Sequence, residues 1–201
     1  MTLKQISSFA SIALTGALIL SACAFGDRKV DLVYPPKDYD QYKLNGSLSQ
    51  TLGVKKVALV VSDERSGDKK YLGEVRNGFY MHTADVVTDD SVQAWVEKAF
   101  TQELQRSGFT VVPASQSEAI LKVAIDSVHC NAYWGYSADI KLRLQFNKGP
   151  KTGTNSVIEG FGSDGMNWAA TSAGYSESLA KALADSYYRS GLNFLKPVAK
   201  P

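Results

Sequence analysis

The sequence predicts an α+β domain: a mixed, largely antiparallel sheet of four to six strands with two main helices packed on one face. Three observations lead there. Ala138 to Phe146 alternates apolar and polar residues without a fault, the mark of a strand with one wet face. Val57-Ala58-Leu59-Val60-Val61 is a continuous apolar run, which suits a strand covered on both faces. Val92, Trp95, Val96, Ala99, Phe100 and Leu104 recur at three-and-four spacing and share one helical face.

Residues 1–22 have the three parts of an export signal. Lys4 marks the positive n-region, Phe9 to Leu20 the apolar core, and Ser21-Ala22 the small residues before a cut. The apolar run is shorter than the roughly 20 residues a membrane span needs. Leu20-Ser21-Ala22-Cys23 reads as a lipobox, at which a bacterial precursor is cut and Cys23 is lipidated. The lipid bilayer is then a partner of the chain through acylated Cys23. Ala24 stands where an inner-membrane retention aspartate would stand in enteric-type bacteria. Anchoring in the outer membrane, facing the periplasm, is therefore expected. Residues 23–52 read as a lipidated tether, with Pro35-Pro36 blocking a helix and Asn45-Gly46-Ser47 supplying turn chemistry. Tyr34, Tyr39 and Tyr42 are unusual for a pure linker and open a second reading. In it the segment lies along the domain, with Val30 to Tyr34 as an edge strand. Both readings stand.

A single folded domain is expected over residues 53–197. The strand at 57–61 ends in a charged loop, Ser62 to Lys70. Residues 72–87 are ambiguous, because Gly73 and Gly78 oppose a helix while Phe79, Val86 and Val87 suit a short strand. A helix follows over 90–107. Asp89, Asp90 and Ser91 offer N-cap oxygens, and Gln93 sits three after Asp90 like a capping-box partner. Gly108 is placed to turn the chain out of that helix. Phe109 to Val112 is a short strand closed by Pro113, and a strand, helix and strand in this order usually form a right-handed crossover. Ile120 to Val128 sets Leu121, Val123 and Ile125 against Lys122 and Asp126. A hairpin can then turn at Gly135 into the 138–146 strand. Ser156 to Met166 is a weaker strand, loosened by Gly160, Gly162 and Gly165, and glycine there marks a bulge or a close backbone approach. Residues 172–195 form the last helix, with Leu179, Ala180, Leu183, Tyr187, Gly191 and Phe194 on one face and Pro197 as its stop.

The formal net charge of the 201 residues is +2, with 21% charged and 44% apolar residues, which fits an ordinary globular domain. No basic stripe points to nucleic acid. If Cys23 carries lipid, Cys130 is left alone. It reads as a buried small hydrophobe, with a reactive or intermolecularly paired thiol as the sharper alternative. The chain has two histidines, His82 and His129. His129 adjoins Cys130, but strand neighbours point to opposite faces, so the two form no Cys–His pair. There is no Gly-x-Ser-x-Gly elbow. No enzyme, cofactor or metal is expected. Asp63, Glu64 and Asp68 lack calcium-loop spacing. Gly160 to Gly165 lacks the lysine and the following helix of a phosphate loop. Tyr133, Trp134 and Tyr136 on the hairpin tip can anchor a partner or rest on a glycan, or fold back under the sheet.

Four stretches carry a family likeness. They are Val57 to Arg65, Leu72-Gly73-Glu74-Val75-Arg76-Asn77, Ala99 to Val111 with Leu104 and Gly108-Phe109, and Leu121-Lys122-Val123-Ala124-Ile125. With the lipobox and the proline-containing tether they resemble the YajG-like bacterial lipoproteins. The resemblance supplies no catalytic residue. It implies an outer-membrane lipoprotein whose periplasmic domain is a non-enzymatic binding or scaffold module, with another envelope protein as partner. The alternatives are an accessory or oligomerising subunit of a transport or secretion complex, or a peptidoglycan- or glycan-binding module using the aromatic tip. For Asp63 and Arg65 an ion pair or cap that fixes the strand exit is favoured, with partner contact as the alternative.

Overall fold

The computed structural model describes residues 26–42, 48–77, 79–149, 153–166 and 171–195. Their strands are β1 (Arg28–Lys29), β2 (Lys56–Asp63), β3 (Tyr71–Arg76), β4 (His82–Val87), β5 (Thr110–Val111), β6 (Ala119–Ala132), β7 (Gly135–Lys148) and β8 (Thr154–Met166). The helices are α1 (Leu48–Leu52), α2 (Val92–Arg106) and α3 (Ser172–Leu195). The class is α+β with a mixed, open sheet, as the sequence predicts. Eight strands replace the expected four to six. The extra ones come from the ambiguous stretch, which forms the β3–β4 hairpin, and from β1 in the presumed tether.

β6 organises the sheet. Its whole length pairs antiparallel with β7, which in turn pairs with β8. On its other side, Ala119–Ile125 pairs parallel with β2, and Cys130–Ala132 pairs parallel with β3. The register shifts between Ile125 and Ser127, between these two pairings. β5 extends β2, while β4 and then β1 extend β3. At the β3 junction Gly73 has φ +152°, and a Cβ there would lie 1.8 Å from the Cys130 carbonyl oxygen. Only glycine allows that approach.

α2 and α3 pack on the same face and meet at Phe100 and Tyr187, whose rings cross edge to face at 5.4 Å. The core holds Val57, Val123, Ile125, Ile140 and Leu142 from the sheet, and Val96, Phe100, Leu179 and Leu183 from the helices. Fully burying a side chain of this size contributes about 1.5–3 kcal/mol. The opposite sheet face is open. Val60 is exposed there, so β2 is not covered on both faces as its apolar run suggests. The helix α2 is capped by Ser91, whose hydroxyl accepts from the Ala94 N–H at 3.2 Å. Asp90 instead accepts from the Leu32 N–H, and Asp89 pairs with Lys29 and Lys70. Gly108, at φ +88°, turns the chain out as expected.

Residues 28–39 are docked, not free. Val30, Tyr34 and Tyr39 are buried in the core. The Val30 N–H donates to Val87, the Thr88 hydroxyl donates to the Val30 carbonyl, and the Trp95 indole N–H donates to the Val33 carbonyl at 2.8 Å. The Lys37 N–H donates to Glu177 on α3 at 2.9 Å. This strap lies against α3 at Glu177, which is buried although it lies off the predicted face. The domain thus begins near Arg28, not at residue 53. The predicted edge strand at 30–34 is instead the two-residue β1. Of the predicted α3 face, Leu179, Ala180, Leu183 and Tyr187 are buried. The side chains of Gly191 and Phe194, together with Pro197, lie outside the described residues.

Candidate functional site

Two turns meet at one end of the sheet. β3 runs parallel to β6, so the β3–β4 and β6–β7 turns leave the sheet at the same end. The first turn is built by Asn77. Its side-chain oxygen accepts from the Phe79 N–H at 2.9 Å and the Met81 N–H at 3.1 Å. Its carbonyl accepts from the Tyr80 N–H. Tyr80 is held at φ +62°, an uncommon conformation for a bulky side chain. Strained backbone of this kind costs on the order of 1–3 kcal/mol and clusters at functional positions. The second turn is Tyr133-Trp134. Tyr133 stacks on Tyr80 at 4.1 Å and meets Trp134 edge to face at 5.3 Å. Phe79 is 83% exposed and Trp134 75%, and Met81 is also open to solvent.

Tyr136 does not belong to this surface. It is buried, and its ring meets Tyr175 edge to face at 5.0 Å. Its hydroxyl accepts from the Thr171 N–H at 2.6 Å. Gly174 lies so close to the ring that an added Cβ would sit 2.3 Å from it. The tip is therefore divided, with Trp134 exposed, Tyr133 half-buried against Tyr80 and Tyr136 folded under. Phe79, Tyr80 and Met81 were not legible as part of it, because only the parallel β3–β6 pairing brings them there.

Asp63 and Arg65 form the strand exit. The guanidinium donates to both Asp63 oxygens, Nε at 2.9 Å and Nη2 at 2.8 Å. It also donates to the Lys69 carbonyl at 2.8 Å. Arg65 is buried. Burial works against ionisation of Asp63, but the Arg65 hydrogen bonds and charge outweigh it and hold the carboxyl below its usual range. This is the ion-pair reading, with little of either side chain left to offer a partner.

The open sheet face carries a groove of about 430 Å³. Val60, Ala124 and Val157 line it together with Lys122, Glu64 and Arg143. Arg143 is held by Asp126 at 2.9 Å through Nε and by Glu64 through Nη2. Phe161, farther along β8, is also exposed.

Cys130 is fully buried, and burial, with the nearby Asp139 charge, pushes its thiol up to about 12. His129 points to the open face, 3.7 Å from Asp139. Exposed His82 faces Asp85 at 2.8 Å. Among the described residues no cluster of three or more His, Cys, Asp or Glu side chains can hold a metal. Among them, too, no helix is long and apolar enough to cross a membrane. Cys23 and the lipobox lie outside the described residues.

A family model described as an uncharacterised lipoprotein matches residues 43–180. No curated protein matches the sequence. The fold is similar to the crystal structure of a Xanthomonas campestris protein assigned to the family model DUF330. The TM-score is 0.52 and the identity 13%, covering 85% of this chain and 95% of that one. A hypothetical protein from Chlamydia trachomatis aligns at TM-score 0.44 and 11% identity, covering 73% of this chain and 96% of that one.

Proposed function

The chain belongs to this uncharacterised lipoprotein family, the YajG-like one, and from that premise we propose a non-enzymatic binding module, lipid-anchored in the cell envelope. Acylated Cys23 holds it to the outer membrane, and the open sheet face receives another envelope protein. The observation that carries the reading is the docked strap. Cys23 lies five positions before Arg28, where the chain is already paired to β4. A chain of that length spans at most about 18 Å. The domain is thus a short-leashed body that works at the membrane surface, and its partner is something found there. The buried Cys130 and the divergent His129 and Cys130 faces support a role in binding and not in catalysis.

The test is made in cells. Mature protein should carry acyl chains on Cys23 and fractionate with the outer membrane, whereas a Cys23→Ser precursor stays unprocessed. Chemical cross-linking should trap one dominant protein partner, and Arg143→Glu with Val157→Asp should remove it. A wild-type profile that stays monomeric at every cross-linker length overturns the partner reading.

A further inference from the structure

We propose that the aromatic end of the sheet, formed by Phe79, Tyr80, Met81, Tyr133 and Trp134, rests in the headgroup layer of the bilayer that Cys23 is anchored in. The site is a second, non-covalent membrane contact, and its ligand is a phospholipid surface. The inference rests on the lipid-anchor reading above.

The first observation is chemical. Five large apolar or aromatic side chains from two turns are grouped at one end, and Phe79, Tyr80, Met81 and Trp134 are exposed. Contiguous exposed apolar groups mark an interaction surface and are not ordinary surface residues. The tryptophan and tyrosines have an apolar body and a polar tip. That is the side-chain chemistry enriched where membrane meets water. The acidic groups next to the patch each face a cationic or titratable partner. Glu74 pairs with Arg76 at 2.5 Å, and Asp85 faces His82. The Glu74–Arg76 pair presents no net charge to repel phospholipid headgroups.

The second observation is positional. β1 runs parallel to β4, with Arg28 opposite Val86 and Lys29 opposite Val87. β4 starts at His82, directly after the first aromatic turn. The strand direction therefore brings the chain into β1 from the aromatic end. Val86 lies four residues along β4 from His82, a distance of about 13 Å at the usual strand rise. The five positions from Arg28 back to Cys23 span up to about 18 Å. That is enough to reach the level of the aromatic turns and too little to let the domain turn its other end to the membrane freely. Anchor and aromatic patch thus belong to one end of the molecule. This is what selects a lipid surface over a soluble protein or a glycan as the occupant. Placed so, the groove beside Arg143 stays clear of the bilayer for a partner.

The experiment uses the acylated full-length chain in phosphatidylethanolamine–phosphatidylglycerol vesicles. A Trp168→Phe background leaves Trp95, which is buried, and Trp134, which is exposed. Phospholipid carrying a nitroxide near the ester linkage should quench the emission, and Trp134→Phe should abolish that quenching. Aqueous iodide should quench Trp134 less in vesicles than in the chain released from them by protease. Vesicle flotation and the mass of Cys23 report the anchor separately. Flotation of the acylated chain with no nitroxide quenching, and Trp134 fully open to iodide, overturns the membrane contact and leaves the anchor standing. Shielding of Trp134 only on addition of purified peptidoglycan or a detergent-solubilised envelope extract also overturns it. Unmodified Cys23 and no flotation overturns the anchor, and this contact with it.

Discussion

Replacing Glu103 by alanine should release the strap. Glu103 sits on α2 and is buried. Its carboxylate accepts from the Tyr34 hydroxyl at 2.7 Å, the Tyr39 hydroxyl at 2.5 Å and the Arg106 guanidinium at 2.8 Å. Arg106 also lies over the Tyr39 ring at 4.3 Å. A hydrogen bond to a charged group is worth about 1.5–3 kcal/mol, and a buried hydroxyl left without a partner adds its desolvation cost. Two tyrosine bonds lost together, less some rescue by entering water, come to about 3–5 kcal/mol. Total stabilities are of order 5–15 kcal/mol, so the strap should let go before the core does. The free reach from Cys23 would then extend to Leu48, 25 positions on, or at most about 90 Å. Limited trypsinolysis checks this directly. Cleavage after Lys29 and Lys37 should rise about 100- to 4,000-fold in Glu103→Ala, because each 1.4 kcal/mol is a factor of ten. Urea unfolding should shift by the amount above, and Tyr34→Phe should give about half of it. Unchanged cleavage at both lysines, with a shift under about 0.5 kcal/mol, would refute the latch, since that is the range of a surface change without a role.

Other outcomes follow from the same contacts. The latch should weaken in alkali. Burial, and then the Glu103 contact, raise Tyr34 and push Tyr39 up to about 12 from an ordinary 10, so the stabilisation is whole below pH 10 and lost as pH rises towards 12. Trypsin susceptibility across that window reads it, and the double variant Tyr34→Phe, Tyr39→Phe should show none of the pH dependence. Gly160→Ala and Gly162→Ala should each destabilise the domain by about 1–3 kcal/mol or more in urea. A Cβ would stand 2.1 Å from the Ala182 oxygen in the first and 2.0 Å from the Ser178 oxygen in the second, so native-like stability of either would mean that α3 does not lie on β8. Asp63→Ala should cost about 3–5 kcal/mol by stranding the buried Arg65 guanidinium, measured by thermal or urea unfolding. The depressed Asp63 carboxyl also predicts a stabilisation that is whole above pH 4 and is lost as pH falls through its folded value. Cys130 should resist a disulfide exchange reagent at pH 8 until the chain unfolds, and prompt modification would contradict its burial.

What could be read from the chain in advance was whatever depends on local period. The fault-free alternation of 138–146 and the apolar stripes of α2 and α3 reappear within a few residues of their expected bounds. The glycines of β8 were also legible in kind. Gly160 and Gly162 admit the α3 backbone, which is the close approach that glycine in a strand signals. What stayed hidden depends on pairing across the sheet. Residues 72–87 carry Gly73 for one contact with Cys130, and that glycine erases the local strand signal it serves. Val60 is apolar like its neighbours, yet lies on the open face, because a hydrophobic run cannot report whether a second layer exists. The tyrosines of the strap hinted at docking, but their partner Glu103 is 60-odd positions away and reads from sequence as one more exposed helical charge.

The long β6 strand sets the aromatic tip and the groove apart on so small a body. Its first half carries β2 and the open face around Val60 and Ala124, and its second half carries β3, β4 and β1. The register shift at Asp126 lies between the two, and the Arg143 guanidinium clamps that carboxylate while the Asp63–Arg65 pair closes the neighbouring strand end. A pull on Cys23 is therefore transmitted through β1 to the β3–β4 hairpin. The strap shares that load with α2 and α3 through Glu103 and Glu177.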